Sequence, residues 1–572
     1  MSNEKRSWWQ FLPFLIVPFL LVLPQLITGN MIIGSDALFH FNRFYDCGMQ
    51  LKMGNFQYFI SYYGFHQSAR IVNAFYGPAF AYFHGALVML TGTWFRYQVL
   101  ANYLLYGTAM GGMQLFLRKL GVSRKCSVLL SASFLATYAV QYWVIRQGFT
   151  SWGAAFFPIA LIPVVELFAR GHLPIRKSAL ALALMLQVHL FTALLLAVLY
   201  FLAVCFQLLR IRERRRLLKE VILAASLFFC VSGNFLGTLF YLYGNHQLVT
   251  PFVNRRMDLN TITGNSYYWL LNPLWLLPLL FFAISCWYKH KSVQEKLTLE
   301  KFLLFGGGFF VLLSSGVVPW RALVATGNPI IGLIQFPFRF FVPATVLLWG
   351  FIGIALRRSG QQGQRLLLVV TLLALIQALG LSFYTLQQWD KGKIIYGESN
   401  HVTIHCKSMG DVKAAFYSPD LGKALKWVTK ATPDYLPRYA GMKKAPKSNP
   451  YQQYQQAVID RSKDFQKQVK GNKLEITWQG KGNDWREVPV IYYKNTQLRN
   501  HSGMGIPFRV TNIGTILVKE QLGENRLQLS FQPPFFFLFS LIGSSVTLVC
   551  LGVSFFILKK DRSLGENPVY ST

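Results

Sequence analysis

The sequence predicts a polytopic α-helical membrane protein with one extracytoplasmic α+β domain before its last helix, and three observations predict it. Of 572 residues, 53% are hydrophobic and 16% aromatic while only 14% are charged, a balance foreign to soluble chains of this length. Charge-free apolar runs recur at the ~17 to 25 residues that a bilayer-crossing helix needs. The basic residues, which leave a net charge of +34, follow those runs with a side preference and form no single patch, which argues against a nucleic-acid partner.

Twelve such runs cover 9–28, 97–117, 127–145, 150–169, 178–190, 191–209, 221–243, 267–288, 302–318, 340–356, 366–386 and 535–558. The fifth is short, and His189 and Thr192 fall where it meets the sixth. The first follows Lys5 and Arg6 as a secretory signal would, but its length, its Pro13, Pro18 and Pro24 and the lack of an Ala-x-Ala site mark an uncleaved anchor. Placing the N-terminus in the cytoplasm puts 25 Lys and Arg on the inner side and nine on the outer, apart from one long insertion. Basic residues flanking spans stay cytoplasmic, so both termini are expected there, in a plasma-membrane protein. The apolar stretch from Phe75 to Trp94 would invert every later loop if it spanned; Pro78 and its aromatics suit a helix lying along the outer leaflet, the alternative being a thirteenth span.

The chain therefore divides into a transmembrane domain at 1–386 with an outer loop at 29–96, an extracytoplasmic domain at 387–532, a final helix at 533–558 and a cytoplasmic tail at 559–572. The 387–532 segment is long enough for its own core. Helix-like runs are expected at Pro419–Thr429 and Tyr451–Val469, then strands at Lys473–Gln479, Val488–Tyr493, Gly514–Lys519 and Arg526–Phe531, closing as an antiparallel sandwich. It holds 23 basic and 12 acidic residues, which suits anionic headgroups or envelope polymers as neighbours and equally a merely solvated surface. Of seven cysteines only Cys47 and Cys406 face outward, and no CxxC spacing suggests a metal site.

Carboxylates at the outer membrane face are scarce. Outside the insertion only Asp36, Asp46 and Asp258 qualify, so acid–base chemistry on a lipid-borne substrate must use one of them unless the insertion reaches back. Asp36 has the richest setting. Gly34 and Ser35 suit a helix start, and at 100° per residue Asp36, His40, Arg43 and Cys47 share one stripe. An acid there can take a proton from a hydroxyl or hold a divalent cation such as Mg or Mn, and Arg43 can pair with phosphate; an interfacial helix with an internal Asp–Arg pair would show the same stripe. His189 lies in an apolar run, where a site residue and a satisfied interhelical bond are both readings. Arg339, in Gln335-Phe336-Pro337-Phe338-Arg339, suits a phosphate grip or a headgroup anchor. Arg146 and the His401/His405 pair are weaker candidates.

The stretches Gly34 to Arg43, Asn73-Ala74-Phe75-Tyr76-Gly77-Pro78, His189 with Thr192, Gln335 to Arg339, Asp434-Tyr435-Leu436-Pro437 and Pro489 to Lys494 together resemble the bacterial membrane family labelled 6-pyruvoyl-tetrahydropterin synthase-related, a relative of the YfhO-like proteins. The resemblance covers nearly the whole chain, and its label does not imply pterin chemistry. It implies the GT-C architecture of polytopic glycosyltransferases with a polyprenyl-phosphate sugar donor. On that reading Asp36 is the base or metal-holding acid, His40 and Arg43 orient it or bind phosphate, and Arg339 with Gln335 meets the lipid phosphate. Relatives often place an acid in the second outer loop; here Arg146 to Trp152 has none. The expected function is sugar transfer from the lipid carrier to an anionic envelope polymer, a glycolipid or a protein. The alternative is a non-catalytic transporter or assembly factor for lipid-linked glycans.

Overall fold

The computed structural model describes residues 11–34, 36–262, 276–289, 298–394, 401–439 and 449–564. Lys5, Arg6, Ser35, the first part of the 267–288 run, Lys291, Lys296 and the end of the tail lie outside the described residues. Helices dominate the first part of the chain. α1 (Leu12–Thr28) ends where Gly29 turns left-handed and its N–H bonds back to Gln25. α2 (Ala37–Met53) and α3 (Pro78–Thr91) fill the first outer loop. With 14 residues α3 is shorter than the ~20 that a span needs. It crosses α2 at Gly48 and Gly85, where a Cβ on Gly85 would lie 2.6 Å from the Gly48 nitrogen.

There follow α4 (Trp94–Lys119), α5 (Arg124–Leu135), α6 (Tyr138–Arg146), α7 (Thr150–Arg170), α8 (Ile175–Val188), α9 (Leu190–Leu208), α10 (Arg214–Asn245), α11 (Leu276–Lys289), α12 (Thr298–Ser314), the short α13 (Trp320–Ala325) and α14 (Pro329–Ile334), α15 (Phe341–Leu356) and α16 (Gly360–Asp390). The last long helix of the chain, Phe535–Leu564, follows the outer domain. Among the described residues seven helical stretches are long and apolar enough to cross a membrane, by length and composition. The 97–117 run is not one of them, although α4 has 26 residues. Its apolar character is diluted by a buried amide network. Gln25 donates to Gln98 at 2.6 Å, Asn102 donates to Gln25 at 3.0 Å, and Gln98 both donates to and accepts from the Ile32 backbone. Such bonds tie α1 to α4 where apolar contact alone gives no preference for helix over lipid.

The 387–532 segment contains α17 (Met409–Tyr417), α18 (Leu421–Trp427) and α19 (Pro450–Tyr454). In chain order the strands are β1 (Ile60–Ser61) and β2 (Arg70–Ile71) in the first outer loop, β3 (Gln247–Leu248) after α10, then β4 (Val402–Ile404), β5 (Val428–Lys430), β6 (Pro437–Arg438), β7 (Gln466–Lys470), β8 (Lys473–Gly480), β9 (Trp485–Ile491), β10 (Thr496–Arg499), β11 (Phe508–Val510), β12 (Thr515–Lys519) and β13 (Gly523–Phe531). Two antiparallel sheets form the C-terminal β domain, ordered β10-β13-β8-β7 and β11-β12-β9. Two expected helices are cut short. Pro419–Thr429 turns into strand at Val428, and Tyr451–Val469 yields to strand at Gln466. In both places a β-branched or alternating pattern pairs with a neighbour and overrides local helix spacing. A Cys47–Cys406 disulfide does not form: all seven cysteines are free, and the Cys47 sulfur accepts a bond from Asn73 at 3.1 Å.

The β domain does not have a core to itself. One buried cluster joins Leu474, Ile476, Val490, Ile516 and Leu529 of the sheets to Phe59, Tyr62, Ile71 and Phe75 of the first outer loop and to Tyr241 and Leu242 at the top of α10. Through the middle runs Arg70, fully buried, which donates to the Thr432 hydroxyl at 3.1 Å and the Asp434 carbonyl at 2.6 Å while lying over the Tyr454 ring at 4.9 Å. β3 pairs with β6, adding a second tie from the membrane helices to the same segment. Replacing Arg70 by Met keeps volume and strands two buried acceptors, at a cost on the order of 2 kcal/mol. We expect Arg70→Met in the full-length protein to speed tryptic cleavage within 401–439, with Arg70→Lys protecting only partly because an ammonium lacks the fork; unchanged cleavage would remove Arg70 as the tie.

Candidate functional site

Asp36 stands at the N-cap of α2, half exposed at 47% of its side chain. The first loop can place it there because Gly34 runs against the second: a Cβ on Gly34 would meet the Arg146 carbonyl oxygen at 2.0 Å. A second close approach sets the other wall. Gly77 adopts φ 73°, and its missing Cβ would fall 2.1 Å from the Gln187 carbonyl oxygen, which brings Asn73–Gly77 to the end of α8 beside His189. No side chain but hydrogen fits at either position.

Two turns into α2, Arg43 is fully buried. Its Nε donates to Asn73 at 3.0 Å, Nη1 to His40 Nδ1 at 3.2 Å and Nη2 to the Tyr76 carbonyl at 3.2 Å, and its charge lies 4.6 Å from the Tyr76 ring centroid. This differs from the expectation that Arg43 grips phosphate: its hydrogen-bonding edge is turned to the protein, so it acts as a bracket that also contributes positive potential. Burial pushes it down to about 10, which leaves it charged at neutral pH. Because a guanidinium only donates, His40 Nδ1 must accept. Burial first, and Arg43 second, hold His40 well below its usual range, so it is a neutral imidazole with its proton on Nε2. The ring is sandwiched 4.6 Å from Phe149.

The other candidates arrive from distant segments. His189 breaks the chain between α8 and α9, accepts from the Thr192 backbone N–H at 3.3 Å and pairs with the Thr192 hydroxyl at 2.7 Å, so one of its roles is to cap α9. Arg339 reaches back to the Ile334 carbonyl at 3.3 Å and lies over Phe336 and Phe191 at 5.2 and 5.7 Å. Gln335 takes a left-handed φ of 57° and donates to the Phe252 carbonyl at 2.6 Å, which turns it toward the outer loop and away from the cluster. Arg339 feels the charge of Asp36, and His189 those of Arg339 and Arg43. Asp36, His40, Arg43, His189 and Arg339 therefore share one neighbourhood. Arg146 touches it through its backbone. His405 bonds Thr429 at 3.0 Å and His401 stacks on Tyr451 at 3.9 Å, both within the outer domain.

The insertion does reach back. At the end of β5, Lys430 places its Nζ 3.8 Å from Asp36 Oδ1, with only 13% of its side chain exposed. Asp434 follows, near enough to feel Asp36, Lys430 and Arg70. Tyr435, at φ 62°, stacks on Phe75 at 4.3 Å. A basic residue in a domain of 23 carries no sequence signal of its own; only the Asp434-Tyr435-Leu436-Pro437 stretch pointed to this loop. The donor set at Asp36 does not fit a divalent cation, since an ammonium holds the position beside the carboxylate. Among the described residues no three His, Cys, Asp or Glu side chains converge.

Of the two other outer acids, Asp258 pairs with Arg256 at 3.2 Å on the surface. Asp46 is buried as a bracket, accepting from the N–H groups of Tyr63 at 2.8 Å and Gly64 at 3.2 Å and from Gln50 at 2.8 Å. That bracket precedes a rare run of left-handed residues, Phe65, His66 and Gln67. Lys467 of β7 holds the run from the other side, donating to the His66 carbonyl at 2.8 Å.

No family model matches the chain, and no curated protein matches it. Among solved structures, the cryo-EM structure of the arabinofuranosyltransferase AftD from Mycobacteria matches at 15% identity and a TM-score of 0.40, over 71% of this chain. The chain spans 28% of the length of that protein. A superposition at this score does not define a shared fold.

Desolvation raises Asp46 from 3.8 to about 6, against the hydrogen bonds that lower it. A raised carboxyl favours the folded state most when protonated. Its contribution is complete below pH ~4 and is lost as pH climbs through about 6, on the order of 3 kcal/mol in all. We expect the thermal unfolding midpoint of the wild type to fall between pH 4 and 7, and Asp46→Asn to flatten that interval. Equal slopes in both proteins would place the titration elsewhere.

Proposed function

We propose that the protein is a membrane glycosyltransferase of the GT-C type, moving a sugar from a polyprenyl-phosphate carrier to a hydroxyl of an extracytoplasmic envelope acceptor. The observation that carries the reading is the convergence, at the outer ends of apolar helices, of one half-exposed carboxylate with cations from separate segments: Asp36 with Arg43, Arg339 and Lys430. An anionic, lipid-borne donor suits such a place, because positive potential near a low-dielectric wall concentrates phosphate. The stretches that resemble the polytopic family agree with this reading.

In this reading Asp36 accepts the proton of the acceptor hydroxyl. The freed oxygen forms a bond to the anomeric carbon as the carbon–oxygen bond to the carrier phosphate breaks, and the electron pair leaves on the polyprenyl phosphate. Arg339, set among Phe191 and Phe336, neutralises the departing charge at the membrane surface. His40, neutral and fixed by Arg43, keeps the α2 turn in register and offers its Nε2 proton as a donor. The net +11 of the 387–532 segment suits an anionic polymer or glycolipid acceptor passing over it.

Removal of a general base slows transfer by about 10² to 10⁴-fold. In cells carrying the wild type, a deletion or Asp36→Asn at equal protein level, we expect one sugar to vanish from the envelope polymers or glycolipids in both mutants. A change in the deletion with none in Asp36→Asn would end the catalytic reading and leave a carrier-binding or transport role.

A further inference from the structure

We propose that Lys430, supplied by the extracytoplasmic domain, is a phosphate-binding residue of the site, held by Asp36 until an anionic carrier phosphate takes it over and thereby uncovers the carboxylate. The inference rests on the reading of Asp36 given above and adds to it a residue, a ligand class and an order of events.

Its basis is geometric. The ammonium and the carboxylate stand 3.8 Å apart, close enough to attract and longer than the ~2.7 to 2.9 Å of a charge-assisted hydrogen bond. Asp36 is half exposed while Lys430 is nearly covered, so an incoming anion approaches from the Asp36 side and meets both. An ion pair at this distance with one partner half exposed is a weak contact, and a carrier phosphate competes for its cation, with one charge and two free oxygens on the sugar-bearing diester and up to two charges and three oxygens on the monophosphate released.

The lysine is also held at its root. β5 pairs with β4, with Lys430 opposite Val402, and the next N–H, of Ala431, bonds the His401 carbonyl at 2.9 Å. Two residues on, Arg70 clamps Thr432 and Asp434. The preceding helix α18 is seated on the membrane domain, because Trp94 Nε1 donates to the Leu421 carbonyl at 2.9 Å and Gly422 leaves room for Tyr45. The backbone is fixed on both sides, which sets where the ammonium can reach. Asp434 lies in electrostatic reach of both Lys430 and Asp36.

The test is equilibrium binding of undecaprenyl monophosphate to the full-length protein in lipid nanodiscs, with undecaprenol as the uncharged control. Competition predicts effects of opposite sign at the two residues. Lys430→Gln should weaken phosphate-lipid binding about tenfold, the scale of one charge-assisted bond, and Lys430→Arg should regain most of it. Asp36→Asn should tighten binding about threefold or more, because the ammonium is no longer shared. Undecaprenol should bind alike to all four proteins. Wild-type affinity in Lys430→Gln, or weakening in Asp36→Asn, would overturn the proposal, as would a wild type that does not distinguish the phosphate from the alcohol. Misfolding through loss of Lys430 cannot mimic the expected result, since it predicts no gain at Asp36. The glycan comparison in cells reports on Asp36 catalysis separately, so either idea can fail alone.

Discussion

The buried guanidinium of Arg70 decides how the outer half of this protein is arranged. A buried charge is costly unless it is hydrogen-bonded, and the acceptors that Arg70 Nη1 and Nη2 find, the Thr432 hydroxyl and the Asp434 carbonyl, belong to a segment more than 350 residues away in sequence, while Nε is left without a partner among the described residues. With these two bonds made, the loop from Lys430 to Tyr435 has little freedom. Tyr435 is forced into a left-handed conformation that bulky residues avoid, and its stacking on Phe75 offsets the strain. The shared apolar core then closes around this polar centre, so the outer domain and the first outer loop are one packing unit in two pieces of chain.

The electrostatic character of the site follows from the same arrangement. Arg43, Arg339 and Lys430 come from the first loop, the entrance of α15 and the 387–532 segment, and they meet around Asp36, with Asp434 also in electrostatic reach. A neighbourhood with more cations than carboxylates favours an anionic group. Neutral His40 adds to the polarity without adding to the charge.

Much of this was legible in the sequence. The apolar runs, the C-terminal β domain with its strands and the stripe through Asp36, His40 and Arg43 follow from periodicity, because one face or one length of bilayer imposes it. The close contacts at Gly34 and Gly77 and the break at His189 have weaker signals, yet the residues involved stood out. What stayed hidden has a common cause. Lys430 reaches Asp36 only through the packing of a domain whose contacts are long-range, and no local pattern encodes a partner 394 positions away. Arg43 looked like a ligand for phosphate because the spacing of a helix tells which side a residue is on, but not whether that side is wet. The helices expected at Pro419–Thr429 and Tyr451–Val469 were lost to strand pairing for the same reason.

The core shared between the first outer loop and the β domain has a consequence for how the protein is made. Synthesis proceeds from the N-terminus, and domains ordinarily fold as they emerge. Here Phe59, Tyr62, Ile71 and Phe75 are made early, while most of the residues that cover them, from Ala431 to Phe531, come hundreds of codons later. For that interval an apolar surface and the Arg70 guanidinium lack most of the groups that cover them. The neighbourhood of Asp36 is thus completed late, since Lys430 and Asp434 belong to the last third of the chain.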